Sequence, residues 1–258
     1  MSEPSQDDFF IGWAKSPPRA LKPLLAAVAA TLILGFVGLA LAIGAAKPDP
    51  GPGAFRFDWG RQTVEGVVAA RPYPTLTVVK GAEHIPVGHT IMLVGQGKRG
   101  VQSQAEALDG QLAEASGVVL KRGELDMLQA RGGPDGLKAA EADAAAAAPA
   151  GDAPLGRWRL TGEVCDGKCL AGAMRPGAGL AHKACANLCL YGGAPPVFVS
   201  AGPVEGEVFF LLADADGGPV GEALYDLVGR LTTLEGEIVR RGDLLIFQAD
   251  IDRASFPK

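Results

Sequence analysis

The sequence predicts a mainly β protein in which one N-terminal apolar helix precedes two copies of a small barrel. The second copy is enlarged by a helical segment rich in cysteine and histidine. Three observations carry this reading. Residues 24–46 form an uncharged apolar run, LLAAVAATLILGFVGLALAIGAA. The stretch 108–130, LDGQLAEASGVVLKRGELDMLQA, aligns without gaps on 227–249, LVGRLTTLEGEIVRRGDLLIFQA. All four cysteines fall between positions 165 and 189, within the second copy.

The apolar run comes first in the chain. At 1.5 Å per residue its length is about 34 Å, enough for a hydrocarbon core of about 30 Å. Lys15, Arg19 and Lys22 precede it, whereas Lys47 alone follows and is succeeded by Asp49. The excess of positive charge on the N-terminal side makes residues 1–23 a cytoplasmic tail and 24–46 a transmembrane helix. The remainder is then expected in the periplasm, anchored by a single pass to a bacterial inner membrane. Phe9, Phe10 and Trp13 are placed to sit at the inner interface. A cleaved signal peptide is the competing reading, although its apolar core is usually about 7–15 residues. Gly35, Gly38 and Ala42 would let a second helix approach closely, or reflect the chain's Ala/Gly bias.

After PDPGPG at 48–53 the pattern changes to short apolar runs bounded by Pro and Gly. TVEGVVAA, PTLTVV and TIMLVG read as strands. The gapless alignment pairs Gly117 with Gly236, Arg122-Gly123 with Arg241-Gly242, and Gln129-Ala130 with Gln248-Ala249. Upstream, HTIMLV at 89–94 matches EVFFLL at 207–212, and TVEGVV at 63–68 matches LTGEV at 160–164 more loosely. Such self-similarity implies duplication. Each copy reads as strand, loop, strand, strand, short helix and a closing hairpin. Gly123 and Gly242 supply the positive φ that the hairpin turns require. The copies occupy 54–131 and 155–258, joined by an Ala/Gly/Pro-rich linker at 132–154 with a helical stretch near 137–147. The order of elements resembles a small Greek-key barrel of the OB type, which implies two tandem OB-like domains and no particular activity.

The copies differ in length. Copy two is some 23 residues longer between Gly162 and Leu227 than copy one between Gly66 and Leu108. The excess falls on the Cys/His stretch, an insertion at 165–193 after the first strand of the second barrel. Within it, GLAHKACANLCLYGG reads as a helix ended by Gly192-Gly193. Spacings of three and four put His182, Cys185 and Cys189 on one helix face. Cys165 and Cys169 approach from the preceding loop.

Three readings stand open. An even number of cysteines outside the cytoplasm fits two disulfides. Cysteine with histidine fits a zinc or copper site, with Cys169, His182, Cys185 and Cys189 the leading ligands and Cys165 the further candidate. A dithiol cycling between oxidation states would use Cys185, beside Lys183 and His182. The repeated C-x-x-x-C spacing resembles the ligand pair of Sco-type copper chaperones and of the dinuclear copper site of cytochrome oxidase, but here the histidine precedes the cysteine pair and no thioredoxin-like βαβ pattern is present.

Other features narrow the class. A net charge of −5 leaves no basic footprint for nucleic acid. His84 and His89, around a Pro turn, read as solvated loop residues, and GQGKRG at 95–100 as a hairpin turn without the context of a phosphate loop. No nucleophile elbow, Ser-His-Asp set or supported carboxylate pair argues for an enzyme. The run GEVCDGKCLAGAMRPG, HKACANLC and GGAPP is similar to uncharacterised bacterial single-span membrane proteins over about the last 100 residues. That resemblance implies no activity. A looser one is to the membrane-anchored haem chaperone of cytochrome c maturation, whose haem-attaching histidine motif is missing here. The expectation is a metal-binding accessory or assembly subunit of a membrane redox system, with the lipid bilayer and a membrane-protein subunit as partners. The alternative is a non-catalytic interaction subunit with a disulfide-stapled loop.

Overall fold

The computed structural model describes residues 17–46, 50–140 and 151–257. The chain divides into two units at Asp49/Pro50. The first holds helix α1 (Lys22–Ala46), entered through a 3-10 turn at Arg19–Leu21. With apolar side chains on every side, the helix is long and apolar enough to cross a membrane. Phe9, Phe10 and Trp13, and most of the expected cytoplasmic tail, lie outside the described residues.

The second unit contains two closed five-strand barrels. The first has β1 (Ala54–Phe55), β2 (Gln62–Ala69), β3 (Thr75–Lys80), β4 (Thr90–Val94), α2 (Gln102–Ala107), β5 (Leu112–Arg122), β6 (Leu125–Ala130) and β7 (Leu137–Ala139). Its strands close in the order β2-β3-β4-β6-β5, with β1 and β7 added against β5. The second has β8 (Ala153–Asp166), α3 (Lys183–Tyr191), β9 (Pro196–Val204), β10 (Glu207–Asp214), α4 (Leu224–Leu227), β11 (Leu231–Arg241) and β12 (Leu244–Ala249), closing as β8-β9-β10-β12-β11. The path is the same in both. Each barrel is antiparallel except where its third strand meets its fifth in parallel, β4 with β6 and β10 with β12.

Strand registers make the duplication physical. Gly66 pairs with Ala113 and Gly162 with Thr232, so the two glycines occupy equivalent places. A Cβ on Gly66 would lie 2.3 Å from the Thr77 carbonyl oxygen, and one on Gly162 2.1 Å from that of Val199. Both copies keep glycine where the first strand crosses closest to the second. The hairpin glycines Gly123 and Gly242 sit at φ +56° and +59° as the turn demands. One match shifts by a residue: Met92 pairs with Met127 and Leu211 with Ile246, so 90–94 corresponds to 209–213 rather than 208–212.

The boundary between copies also changes. The expected helix beginning near Leu137 is instead the strand β7, with Leu137 buried opposite Ala115 of β5. The one large apolar side chain in an Ala-rich stretch finds the first barrel's core, so 132–140 belongs to that barrel. Strand β8 begins at Ala153, within the stretch expected to be linker. Residues 141–150 lie outside the described residues.

Each barrel has its own core, Leu76, Ile91, Leu93 and Leu128 in the first and Phe198, Phe210, Leu234 and Phe247 in the second. A third cluster joins them: Met92, Leu120 and Met127 meet Leu211, Val239 and Ile246. Beside it a cleft of about 280 Å³ opens between the barrels. There His89 bonds Asp126 at 3.1 Å within its own barrel and Asp243 of the other at 2.6 Å. The expectation of a solvated His89 is thereby corrected: it ties the barrels together. His84 stacks on Trp59, with ring centroids 4.4 Å apart.

Candidate metal centre

The Cys/His segment fills residues 167–195, between the first and second strands of the second barrel, where the first barrel has only 70–74. It is not a loop projecting into solvent. Cys165, Cys169, Leu170, Ala171 and Cys189 belong to the cluster that joins the barrels. At the end of β8, buried Asp166 accepts a hydrogen bond from the Cys169 backbone N–H at 2.7 Å, fixing the start of a tight helical turn at Cys169–Ala173. The chain then runs through a 3-10 turn at Leu180–His182 into α3, which ends at Gly192.

The first barrel grips this segment through the GQGKRG loop, which is more than a hairpin turn. Lys168 Nζ donates to the carbonyls of Gly95 and Gly97, each at 2.6 Å, and the Gly100 N–H donates to the Gly192 carbonyl at 2.8 Å. The loop is thus held so that Lys98 Nζ lies 2.7 Å from Cys185 Sγ and 3.7 Å from Cys189 Sγ.

The Sγ atoms of Cys169, Cys185 and Cys189 all lie within 4.8 Å of one another. A second group, with donor atoms equally close, consists of Asp166, Cys169 and His182, all buried. The four expected ligands therefore do not make one site among the described residues. They divide between two groups that share Cys169. His182 stands at the start of α3, where its ring reaches back to the end of β8 and its Nε2 meets Asp166 Oδ2 at 3.1 Å. Cys185, one turn on, reaches the Lys98 loop instead. Cys165 is in neither group: its thiol donates to Glu163 at 3.3 Å.

All four cysteines are free, which corrects the disulfide reading. The nearest approach, Cys169 Sγ to Cys189 Sγ, is 3.9 Å, against about 2.05 Å for a bond. That distance suits shared coordination. At a metal–sulfur distance of about 2.3 Å, two sulfurs stand about 3.8 Å apart in tetrahedral geometry and about 4.0 Å apart in trigonal geometry.

The electrostatics favour ionisation at one thiol of this pair. The hydrogen bond from Cys169, outweighing burial and assisted by the Lys98 ammonium, lowers the Cys189 thiol to about 7. Cys169, its partner in that bond and itself buried, is pushed upward. Burial pushes Cys165 well up, with Glu163 adding to it. Lys98 is raised by its hydrogen bond to Cys185.

Comparison with known proteins finds no matching family model, no matching curated protein and no matching solved structure. The reading therefore rests on the residues themselves. Asp166 and Lys98 were not apparent as site residues in the sequence. Only adjacency to Cys165 marked the first, and two basic residues in a glycine-rich turn the second.

Proposed function

We propose that this chain is a membrane-anchored metal-binding protein that holds a thiophilic cation, zinc or copper, on Cys169, Cys185 and Cys189. The observation that carries the reading is the convergence of these three free thiols within 4.8 Å, walled by both barrels. Three soft sulfur donors select zinc or cuprous ions over magnesium or calcium. Lys98 supplies a positive charge beside the thiolates, offsetting the negative charge they bring to the site.

The shared strand path, with third and fifth strands parallel, supports an OB-type assignment for both barrels. On that assignment residues 165–193 are an elaboration of the second copy. The apolar α1 and the bias of Arg19 and Lys22 toward its N-terminal side support a single pass with the barrels outside the cytoplasm, in the periplasm of a bacterium. On this reading, a metal site in a membrane-anchored chain serves an accessory or assembly role in a membrane redox system, beside a membrane-protein subunit. The protein is not read as a nucleic-acid binder.

The test is metal analysis of the full chain purified in detergent under reducing conditions and offered Zn2+ or Cu+. Retained metal whose three-sulfur shell, read by X-ray absorption, is lost in Cys185→Ser and in Cys189→Ser and is unaffected in Cys165→Ser is the expected result. A chain that stays metal-free with all thiols titratable would overturn the reading.

A further inference from the structure

The two donor groups meet at a single atom. Cys169 Sγ stands within 4.8 Å of the sulfurs of Cys185 and Cys189, and also of a carboxylate oxygen of Asp166 and a ring nitrogen of His182. We infer that the two groups form one dinuclear centre, in which the Cys169 thiolate bridges an ion held by Cys185 and Cys189 and a second held by Asp166 and His182. This rests on the metal-binding reading above and extends it from one ion to two of the same d10 class, Zn2+ or Cu+.

The second half has the geometry of a site. Asp166 is fully buried and His182 is 5% exposed, so neither can be a solvated surface group. Their facing atoms, Asp166 Oδ2 and His182 Nε2, are 3.1 Å apart. Two ligands at about 2.0–2.1 Å from a tetrahedral ion stand about 3.3 Å apart, so the ion fits with little movement. In its absence a hydrogen bond joins the same two atoms, and binding replaces the proton of that bond, which leaves to solvent. The other carboxylate oxygen, Oδ1, is held by the Cys169 N–H at 2.7 Å, which orients the group and leaves Oδ2 toward His182.

Charge argues for two ions rather than one. Three thiolates and a carboxylate bring four negative charges into a largely buried space. Two zinc ions cancel them. Two cuprous ions cancel half, and the Lys98 ammonium beside Cys185 and Cys189 offsets part of the rest. A single ion on the three sulfurs leaves the buried Asp166 carboxylate with hydrogen bonds to His182 and the Cys169 N–H but no cation, a costlier arrangement. A thiolate sulfur has lone pairs enough to bind both neighbours.

Stoichiometry decides the matter. Full chain in detergent, reduced, is loaded separately with Zn2+ and with Cu+, desalted, and its metal counted against protein. Two equivalents of at least one cation are expected, falling to one in His182→Ala with an all-sulfur shell by X-ray absorption. Asp166→Asn preserves the buried volume should the first variant fold poorly, and it should also retain one equivalent. Cys185→Ser is the complement, keeping an ion in a mixed oxygen, nitrogen and sulfur shell. A wild-type count of one, unaltered by His182→Ala and Asp166→Asn, overturns the dinuclear centre and leaves the three-sulfur site standing. Two equivalents that persist in both variants also overturn it, because the second ion then lies elsewhere. A count of zero removes both proposals.

Discussion

Lys98 Nζ and Cys185 Sγ meet at 2.7 Å although 87 positions separate them in sequence, one on a loop of the first barrel and the other on a helix of the second. The contact makes the thiol cluster a product of both barrels. Because Lys98 is exposed, its charge acts through a solvent-screened field of modest strength.

Replacing Lys98 with Met should therefore reduce the alkylation rate of Cys185 at neutral pH by about fivefold, on the order of 1 kcal/mol. Raising the salt concentration to about 1 M should shrink the difference between variant and wild type. Iodoacetamide kinetics followed by peptide mapping read this directly. Equal rates at low salt would show that the lysine has no electrostatic hold on the thiol.

Lys168 acts through structure rather than charge at the thiols. Its buried ammonium satisfies two carbonyls, Gly95 and Gly97, that Lys168→Met would leave without a donor. The expected cost is about 1–3 kcal/mol, chiefly for the buried Gly95 carbonyl, because water can reach the exposed Gly97. Amide exchange across 95–100 should quicken at the same time. Unchanged exchange there would mean the loop is held by its other bonds alone.

His89 predicts a pH dependence. Burial alone would lower its pKa, but hydrogen bonds to Asp126 and Asp243 outweigh it and carry the group up to about 10. Lys121, Glu124 and Glu207 line the same cleft, as does the neighbouring ring of His84. The folded value lies above the ordinary value of about 6.5. The stabilisation is therefore complete below about 6.5 and is lost as pH rises toward 10. The Tm difference between wild type and His89→Gln should narrow steadily over that window in thermal melts. A constant gap from pH 6 to pH 10 would contradict the charged clamp.

Gly242 combines two constraints that can be separated. It sits at φ +59°, and a Cβ there would lie 2.4 Å from Thr90 Oγ1 across the barrel interface. Gly88, at φ +88°, has open space around the same position. Gly88→Ala should cost about 1–2 kcal/mol from backbone strain, and Gly242→Ala about 1–3 kcal/mol more from the clash. With roughly 2–4 °C of Tm per kcal/mol for a unit of this size, differential scanning calorimetry resolves the two. Equal shifts would remove the contact with Thr90 from the account.

Local patterns were legible in the sequence wherever the determining contacts are local or duplicated. The apolar run of α1, the hairpin turns at Gly123 and Gly242, the helix closed by Gly192 and the equivalence of Gly66 with Gly162 all belong to this class. What could not be read depends on distant partners. His89 finds Asp243 at a separation of 154 positions, and nothing around HIPVGHT marks that pairing. The shared face of His182, Cys185 and Cys189 follows from helical spacing, but the direction each donor takes is set by Asp166 on one side and Lys98 on the other. Leu137 misled because an Ala-rich neighbourhood favours helix, while burial against β5 decided for strand.

The central claim is that one cation sits on the sulfurs of Cys169, Cys185 and Cys189. X-ray absorption at the metal edge of the loaded full chain tests it most directly. The expected spectrum has a dominant sulfur shell at about 2.3 Å that collapses in the Cys185→Ser/Cys189→Ser double variant. A shell of oxygen and nitrogen alone at about 2.0–2.1 Å, or a sulfur shell indifferent to those substitutions, would contradict it.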